Sequence, residues 1–160
     1  MSVRIESHGH EASHLPLVRE LFGEYAASLG VDLSFQDFEH ELATLPGRYA
    51  PPGGCILIAY VDDAPAGCIA MRPLDDERCE MKRLWVRSAF RGLGLGEQLS
   101  RALIRRARAL GYKGMRLDTL APMRSAQRLY SALGFREIPA YYPNPLPGTV
   151  YMERELAEDA

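Results

Sequence analysis

Two periodicities divide the chain. Val3 and Ile5 alternate with Arg4 and Glu6, the spacing of a strand with one buried face. Residues 15–29 switch to helical spacing, with Leu17/Val18, Leu21/Phe22, Tyr25 and Leu29 on one side and Gly30 as the stop. Ser34 offers an N-cap to a second helix whose apolar stripe is Phe35, Phe38, Leu42 and Leu45. After the turn cluster Pro51-Pro52-Gly53-Gly54, the apolar runs 55–61 and 66–71 are joined across residues 62–65 and predict two antiparallel strands. Another strand, residues 79–86, follows the turn Asp75-Asp76-Glu77. Helical spacing returns over 95–110 (Leu95, Leu99, Ala102, Leu103, Leu110), ending at Gly111, and from Pro122 through Met123, Ala126, Leu129/Tyr130 and Leu133 to Gly134. Residues 114–120, 135–138 and 149–156 read as strands, the last two separated by a loop that Pro143, Pro145 and Pro147 hold extended.

The strand at 79–86 breaks the pattern. A central strand should be apolar on both faces, yet this one carries Glu80, Lys82 and Arg83. A period of two puts Glu80, Lys82, Leu84 and Val86 on one face and Met81, Arg83 and Trp85 on the other. Unpaired charge is costly to bury, so the strand either borders a wet cleft or lies half exposed with Glu80 and Lys82 paired. Beyond it, with residues 87–91 separating the strand from the first glycine, Arg91-Gly92-Leu93-Gly94-Leu95-Gly96 leads into the third helix. Such a loop bares consecutive N–H groups at the positive end of a helix dipole, which suits a phosphate; a plain flexible turn uses the same residues. The spacing is neither that of a Walker A loop, which needs Gly-Lys-Ser/Thr, nor the dinucleotide G-x-G-x-x-G.

Composition narrows the classes. A chain of 160 residues with 47% hydrophobic and 25% charged residues fits a single globular domain over residues 1–160. A net charge of -2 gives no electrostatic reason to expect nucleic acid or an anionic membrane as partner. Cys55, Cys68 and Cys79 form no C-x-x-C pair and leave an odd count, which favours free thiols in a reducing compartment. No apolar run approaches the length of a membrane span, and Met1 to Glu6 lack a signal-peptide core, so a cytoplasmic protein is expected. His8, His10 and His14 lie close together, but no carboxylate or cysteine completes a ligand set, and no metal is expected. The first helix pair carries Glu20, Glu24, Asp32, Asp37, Glu39 and Glu41 against Arg19 alone, either a solvated face or a lure for a cationic ligand.

The glycine loop has the form R/Q-x-x-G-x-G/A and resembles the acetyl-CoA pyrophosphate loop of the GNAT N-acetyltransferase superfamily. Ala126-Gln127-Arg128-Leu129-Tyr130-Ser131-Ala132-Leu133-Gly134-Phe135 is similar to that family's A-x-x-x-Y-x-x-x-G-F segment, and the predicted order β-α-α-β-β-β-loop-α-β-α-β-β is that of its fold. The resemblance implies an α+β chain in an α/β/α sandwich, with a mixed, mainly antiparallel sheet of about seven strands and about four flanking helices. It implies acetyl-CoA as cosubstrate, its pantetheine arm held along Leu84, Trp85 and Val86 and its pyrophosphate by Arg91, Gly92, Leu93, Gly94, Leu95 and Gly96. It implies direct transfer to a primary amine of a small molecule or peptide, by a monomer or homodimer. Glu80 stands where many members keep a general base, and Tyr130 where they keep a donor to the departing thiolate. On the residues alone, Tyr130 reads as a core tyrosine ahead of a catalyst. The acceptor wall would fall to the helix pair and the proline loop, with Tyr25, Tyr141 and Tyr142 as contacts. One departure is Met123, where many relatives carry an Asn that contacts the cofactor. A CoA-binding module without turnover, and transfer to a hydroxyl or of a longer acyl group, are the other readings.

Overall fold

A two-residue turn sets the register of half the sheet. Asp62 and Asp63 both take positive φ, 48° and 69°, the handedness that matches the twist of a tight hairpin. The strands it joins, β2 (Cys55–Val61) and β3 (Ala64–Pro73), therefore pair from Val61↔Ala64 outward. The hairpin is two residues tighter than the apolar runs alone predict. The computed structural model describes residues 1–8, 11–30, 33 and 37–156. The remaining elements are β1 (Val3–His8), α1 (Leu15–Leu29), α2 (Phe38–Ala43), β4 (Arg78–Val86), α3 (Leu95–Ala109), β5 (Gly114–Thr119), α4 (Arg124–Ala132), β6 (Arg136–Ile138) and β7 (Val150–Glu155). Short 3-10 turns lie at Ala12–His14, Gly47–Tyr49 and Ser88–Phe90.

The strands form one sheet in the order β1-β2-β3-β4-β5-β7-β6. Every pairing is antiparallel except β4–β5, whose crossover is α3. On one face α3 and α4 bury Leu99, Leu103, Ile104, Ala107 and Tyr130 against Cys79, Met81, Met115 and Leu117. On the other, Val18, Leu21 and Phe22 of α1 and Phe38 of α2 pack on Ile56, Ile58, Cys68 and Ala70. Among the described residues the result is the expected α/β/α sandwich, with a seven-stranded mixed sheet and four α-helices. α1 stops where its sequence says, at Gly30 with φ 65°. α4 begins later than expected, at Arg124, with Pro122 and Met123 in the preceding turn. Ser34 and Phe35, expected to open α2, lie outside the described residues, as do His10 and Asp32. Among the described residues no helix is long and apolar enough to cross a membrane.

Two irregularities in β4 matter for the site. Pairing with β5 covers only Arg78↔Gly114, Cys79↔Met115 and Glu80↔Arg116, while β4 stays paired with β3 as far as Gly67↔Val86. The two parallel strands thus part beyond Glu80. The second is a bulge. The β3–β4 register shifts between Cys68 and Ala70, and Arg83 takes φ 62°, a left-handed conformation rarely adopted by a long side chain.

Candidate active site

The bulge redistributes the charges of β4. One extra residue in a strand shifts the side-chain alternation by one. Cys79 and Met81 face α3, and beyond the bulge Leu84 and Val86 pack against the same core. Glu80 and Lys82 line a cavity on the opposite side, and Arg83 points there too, bonded to α2. Trp85 packs with the α1 core. The strict alternation expected from the sequence, with Leu84 and Val86 beside Glu80 and with Arg83 opposite, is therefore corrected. All three charges share one face, where each finds a polar partner or an opposite charge.

That face holds a cavity of about 740 Å³, walled by α2, residues 44–49, the ends of β3 and β4, and Tyr141 and Tyr142 of the proline loop. Glu80 is 1% exposed and both its oxygens are occupied. Oε1 accepts from Arg72 Nε at 2.8 Å and Oε2 from Tyr141 O–H at 2.7 Å. Burial alone would push its carboxyl pKa up. The charges of Lys82 and Arg72 and the Tyr141 hydrogen bond outweigh burial and hold it below the usual value. Glu80 is thus an ionised carboxylate, and with about four lone-pair directions it can still accept from a water or an amine. Lys82, 6% exposed, is pushed in the uncharged direction by burial, against the opposing charge of Glu80. Behind it, Arg83 Nε and Nη2 donate to Glu41 Oε2 and Oε1, both at 3.0 Å, and Tyr49 O–H donates to Glu41 Oε1 at 2.9 Å.

Lys82 also borders a second, narrow opening between the parted strands, lined by Tyr25, Leu84, Asp118, Met123 and Tyr130 among others. Past Glu80, β4 has a strand partner among the described residues only on the β3 side, so its other edge is not taken up by a neighbouring strand. At the end of this edge sits the glycine loop. Gly92 and Gly94 take φ of 80° and 77°, and Gly94 caps α3 without any side-chain bond. A Cβ added at Gly92 would meet nothing within 4 Å, so the backbone conformation, not crowding, requires glycine there. An extended arm with its own amides can add to a free strand edge, and a diphosphate can sit on amides at a helix N-terminus. Both features suit a CoA thioester. Arg91 stacks over the Trp85 ring at 5.3 Å, and Trp85 Nε1 donates to Glu24. Met123 lines the narrow opening, and Gln127 Nε2 ties the β5–α4 turn through Leu120 O at 2.9 Å.

The residues anticipated from sequence divide between the two openings. Glu80, Tyr141 and Tyr142 meet in the larger cavity, and Tyr142 O–H donates to Asp118 Oδ2 at 2.7 Å. Tyr25, expected at the acceptor wall, lines the narrow cleft with Tyr130 instead. Tyr130 is 6% exposed, its ring edge-on to Phe135 at 5.9 Å, and burial raises its pKa. The sequence reading missed Arg72 and Tyr49, and set Arg83 on the wrong face of its strand. Arg72 was within reach, since pairing outward from the Asp75-Asp76-Glu77 turn sets it directly opposite Glu80. Half of the six carboxylates that give the helix pair its acidic bias are engaged. Glu20 and Glu24 pair with Arg87 and Glu41 with Arg83. Cys55, Cys68 and Cys79 are free and buried, and burial pushes the Cys79 thiol up to about 12, so none is poised as a nucleophile. Among the described residues no three potential metal ligands gather.

Comparison with known proteins follows the same line. The sequence model described as the acetyltransferase (GNAT) family matches residues 16–135. An uncharacterized N-acetyltransferase of Schizosaccharomyces pombe is 43% identical over 140 residues, covering 86% of each chain. The N-acetylaspartate synthetase of Rattus norvegicus is 37% identical over 109 residues, 68% of this chain and 36% of that one. In structure, a GNAT-family acetyltransferase of Staphylococcus aureus superposes with a TM-score of 0.77 at 24% identity, covering 97% of this chain and 99% of the other. A GNAT-family acetyltransferase of Elizabethkingia anophelis with acetyl-CoA bound gives 0.61 at 21% identity, over 96% and 97%.

Proposed function

The chain belongs to the acetyltransferase (GNAT) family, and from that premise we propose how its two openings divide the work. It is an acetyl-CoA-dependent acyltransferase that moves an acetyl group to an amine. The observation that carries the proposal is the parting of β4 from β5 at Glu80, with the glycine loop at one end and the charged cavity at the other. The β4 edge at Leu84, Trp85 and Val86 holds the pantetheine arm. The amides from Gly92 to Gly96, beside Arg91, hold the diphosphate. Acetyl-CoA supplies an acetyl group already activated as a thioester.

In the cavity, Glu80 faces the acceptor nitrogen. An ammonium has no lone pair, so attack needs deprotonation, and Glu80 takes that proton through a water. Its low pKa makes it a modest base but a strong partner for the positive charge that grows on nitrogen. Tyr130, across the cleft, keeps its proton at neutral pH. With a pKa above that of a thiol, it donates a hydrogen bond to the departing sulfur rather than giving up the proton. Tyr141 and Tyr142 contact the acceptor. The synthetase relatives make an acetylated amino acid by name, which places a free amino acid among the acceptors to test.

A screen of amines for acetyl-CoA-dependent thiol release tests the activity. Acetyl-CoA binding without release from any amine would leave only a CoA-binding module. Two variants test the assignments. Gly96→Asp should lower acetyl-CoA affinity by at least roughly tenfold, about 1.4 kcal/mol, in calorimetry. The new Cβ would lie at ordinary contact distance from Leu129, and a carboxylate at a helix N-terminus favours the helix, so the fold persists while the diphosphate is repelled. Unchanged affinity would remove the loop from the binding site. Tyr130→Phe keeps the ring against Phe135 and should cut turnover roughly tenfold while acetyl-CoA affinity stays the same. Full turnover would leave Tyr130 with packing alone.

A further inference from the structure

We propose that the acceptor is an amine carrying a carboxylate a few bonds away, and that Arg72 and Arg48 on the cavity wall receive that carboxylate. The inference rests on the acetyltransferase reading above and names the acceptor class for that same cavity.

The argument is one of donors and acceptors. The cavity presents Arg48, Arg72 and Lys82 beside Asp37, Glu41 and Glu80, which looks balanced. The anions, however, are already engaged. Glu41 accepts from Arg83 on both oxygens and from Tyr49 on one. Glu80 accepts from Arg72 on one oxygen and Tyr141 on the other. The cations are not saturated. A guanidinium has five N–H donors in a planar fork. Among the described residues, Arg72 uses only Nε, toward Glu80, and Arg48 uses only Nη2, toward the carbonyl of Pro73. Each of these two wall residues therefore keeps guanidinium N–H groups with no acceptor among the described residues, and such a fork binds a carboxylate through two parallel hydrogen bonds. Among the described residues, Asp37, at the exposed start of α2, is the one carboxylate on the wall whose side chain makes no hydrogen bond or ion pair. A second cationic group on the acceptor would meet Arg72 and Lys82, so the cationic acceptor suggested by the acidic helix pair does not suit this wall.

Proximity sharpens the class. The anion receptor and the group that takes the amine's proton are themselves in contact, Arg72 Nε to Glu80 Oε1 at 2.8 Å. A molecule that satisfies both must hold its amine and its carboxylate close together. That is the structure of a free amino acid, not of a polyamine or a protein lysine.

The test is a matched panel: glycine, alanine, aspartate and glutamate, their α-carboxamides, asparagine and glutamine, and the simple amines methylamine and ethylamine. kcat/KM is read by thiol release at equal free-amine concentration. Amino acids should exceed the compounds lacking the recognised carboxylate by roughly tenfold or more, the range for a hydrogen bond to a charged group. The side-chain amides show whether the α- or the side-chain carboxylate is read. Arg48→Gln, which does not touch Glu80, should raise KM for the acids by more than for the carboxamides, and an equal rise for both would remove Arg48 from carboxylate recognition. Arg72→Gln should collapse the ratio of acid to carboxamide, a ratio that cancels any general loss through Glu80. Should that variant fail to fold, the wild-type panel and Arg48→Gln decide. Carboxamides or simple amines used as well as the acids would overturn the acceptor class and leave the acetyltransferase reading standing. Acetyl-CoA binding with no release from any amine would overturn both.

Discussion

Glu80→Gln should lower turnover by roughly a hundredfold at neutral pH, the usual scale of general acid–base help, and leave acetyl-CoA affinity unchanged. Glutamine fits the same space, and its carbonyl can still accept from Arg72. What disappears is the negative charge facing the acceptor nitrogen. Part of the activity should return as pH rises, because more acceptor is then free amine and needs no proton removed. Stability provides an independent reading. The folded-state pKa of Glu80 lies below its ordinary value of 4.5, so its contribution is present above that value and lost as pH falls through the folded pKa. Acid unfolding of the variant should lack that component. A Gln variant with full turnover at neutral pH would dismiss Glu80 as the proton acceptor.

Glu41→Gln should cost about 3 kcal/mol of unfolding free energy, measured as a lower urea midpoint at unchanged m-value. The Arg83 side chain is 2% exposed and that of Glu41 11%, so the change removes an opposite charge from beside a buried guanidinium. Phe38 and Tyr25 rings, 5.1 and 5.7 Å from the guanidinium carbon, soften the loss without replacing the anion. Replacing both partners with apolar residues, as in Glu41→Leu with Arg83→Met, should cost less than the single change, because the buried charges are removed together. A change below about 1 kcal/mol in Glu41→Gln would mean the pair behaves as a surface one.

The sequence by itself determined the elements, because each depends on neighbours along the chain. The apolar spacing of residues 15–29, closed by a left-handed Gly30, is the observed α1, and 55–61 is the observed β2. The glycine loop lies where the motif put it, because positive φ at Gly92 and Gly94 is a local demand that only glycine meets cheaply. Glu80 and Lys82 betrayed the cleft because charge in a central strand has to be answered somewhere. The tertiary structure decided what answers it. A single left-handed residue, Arg83, moves every later side chain of β4 to the other face, and no periodicity in the sequence announces a bulge at an arginine. The partners of the buried charges come from far along the chain, Glu41 for Arg83 and Tyr141 for Glu80, and only folding brings them within hydrogen-bond reach. The same distance explains the acidic helix pair. Its carboxylates looked like a surface that draws cations, but α1 and α2 turn three of them, Glu20, Glu24 and Glu41, onto Arg87 and Arg83. A count of charges along a chain cannot show which are already neutralised across a fold.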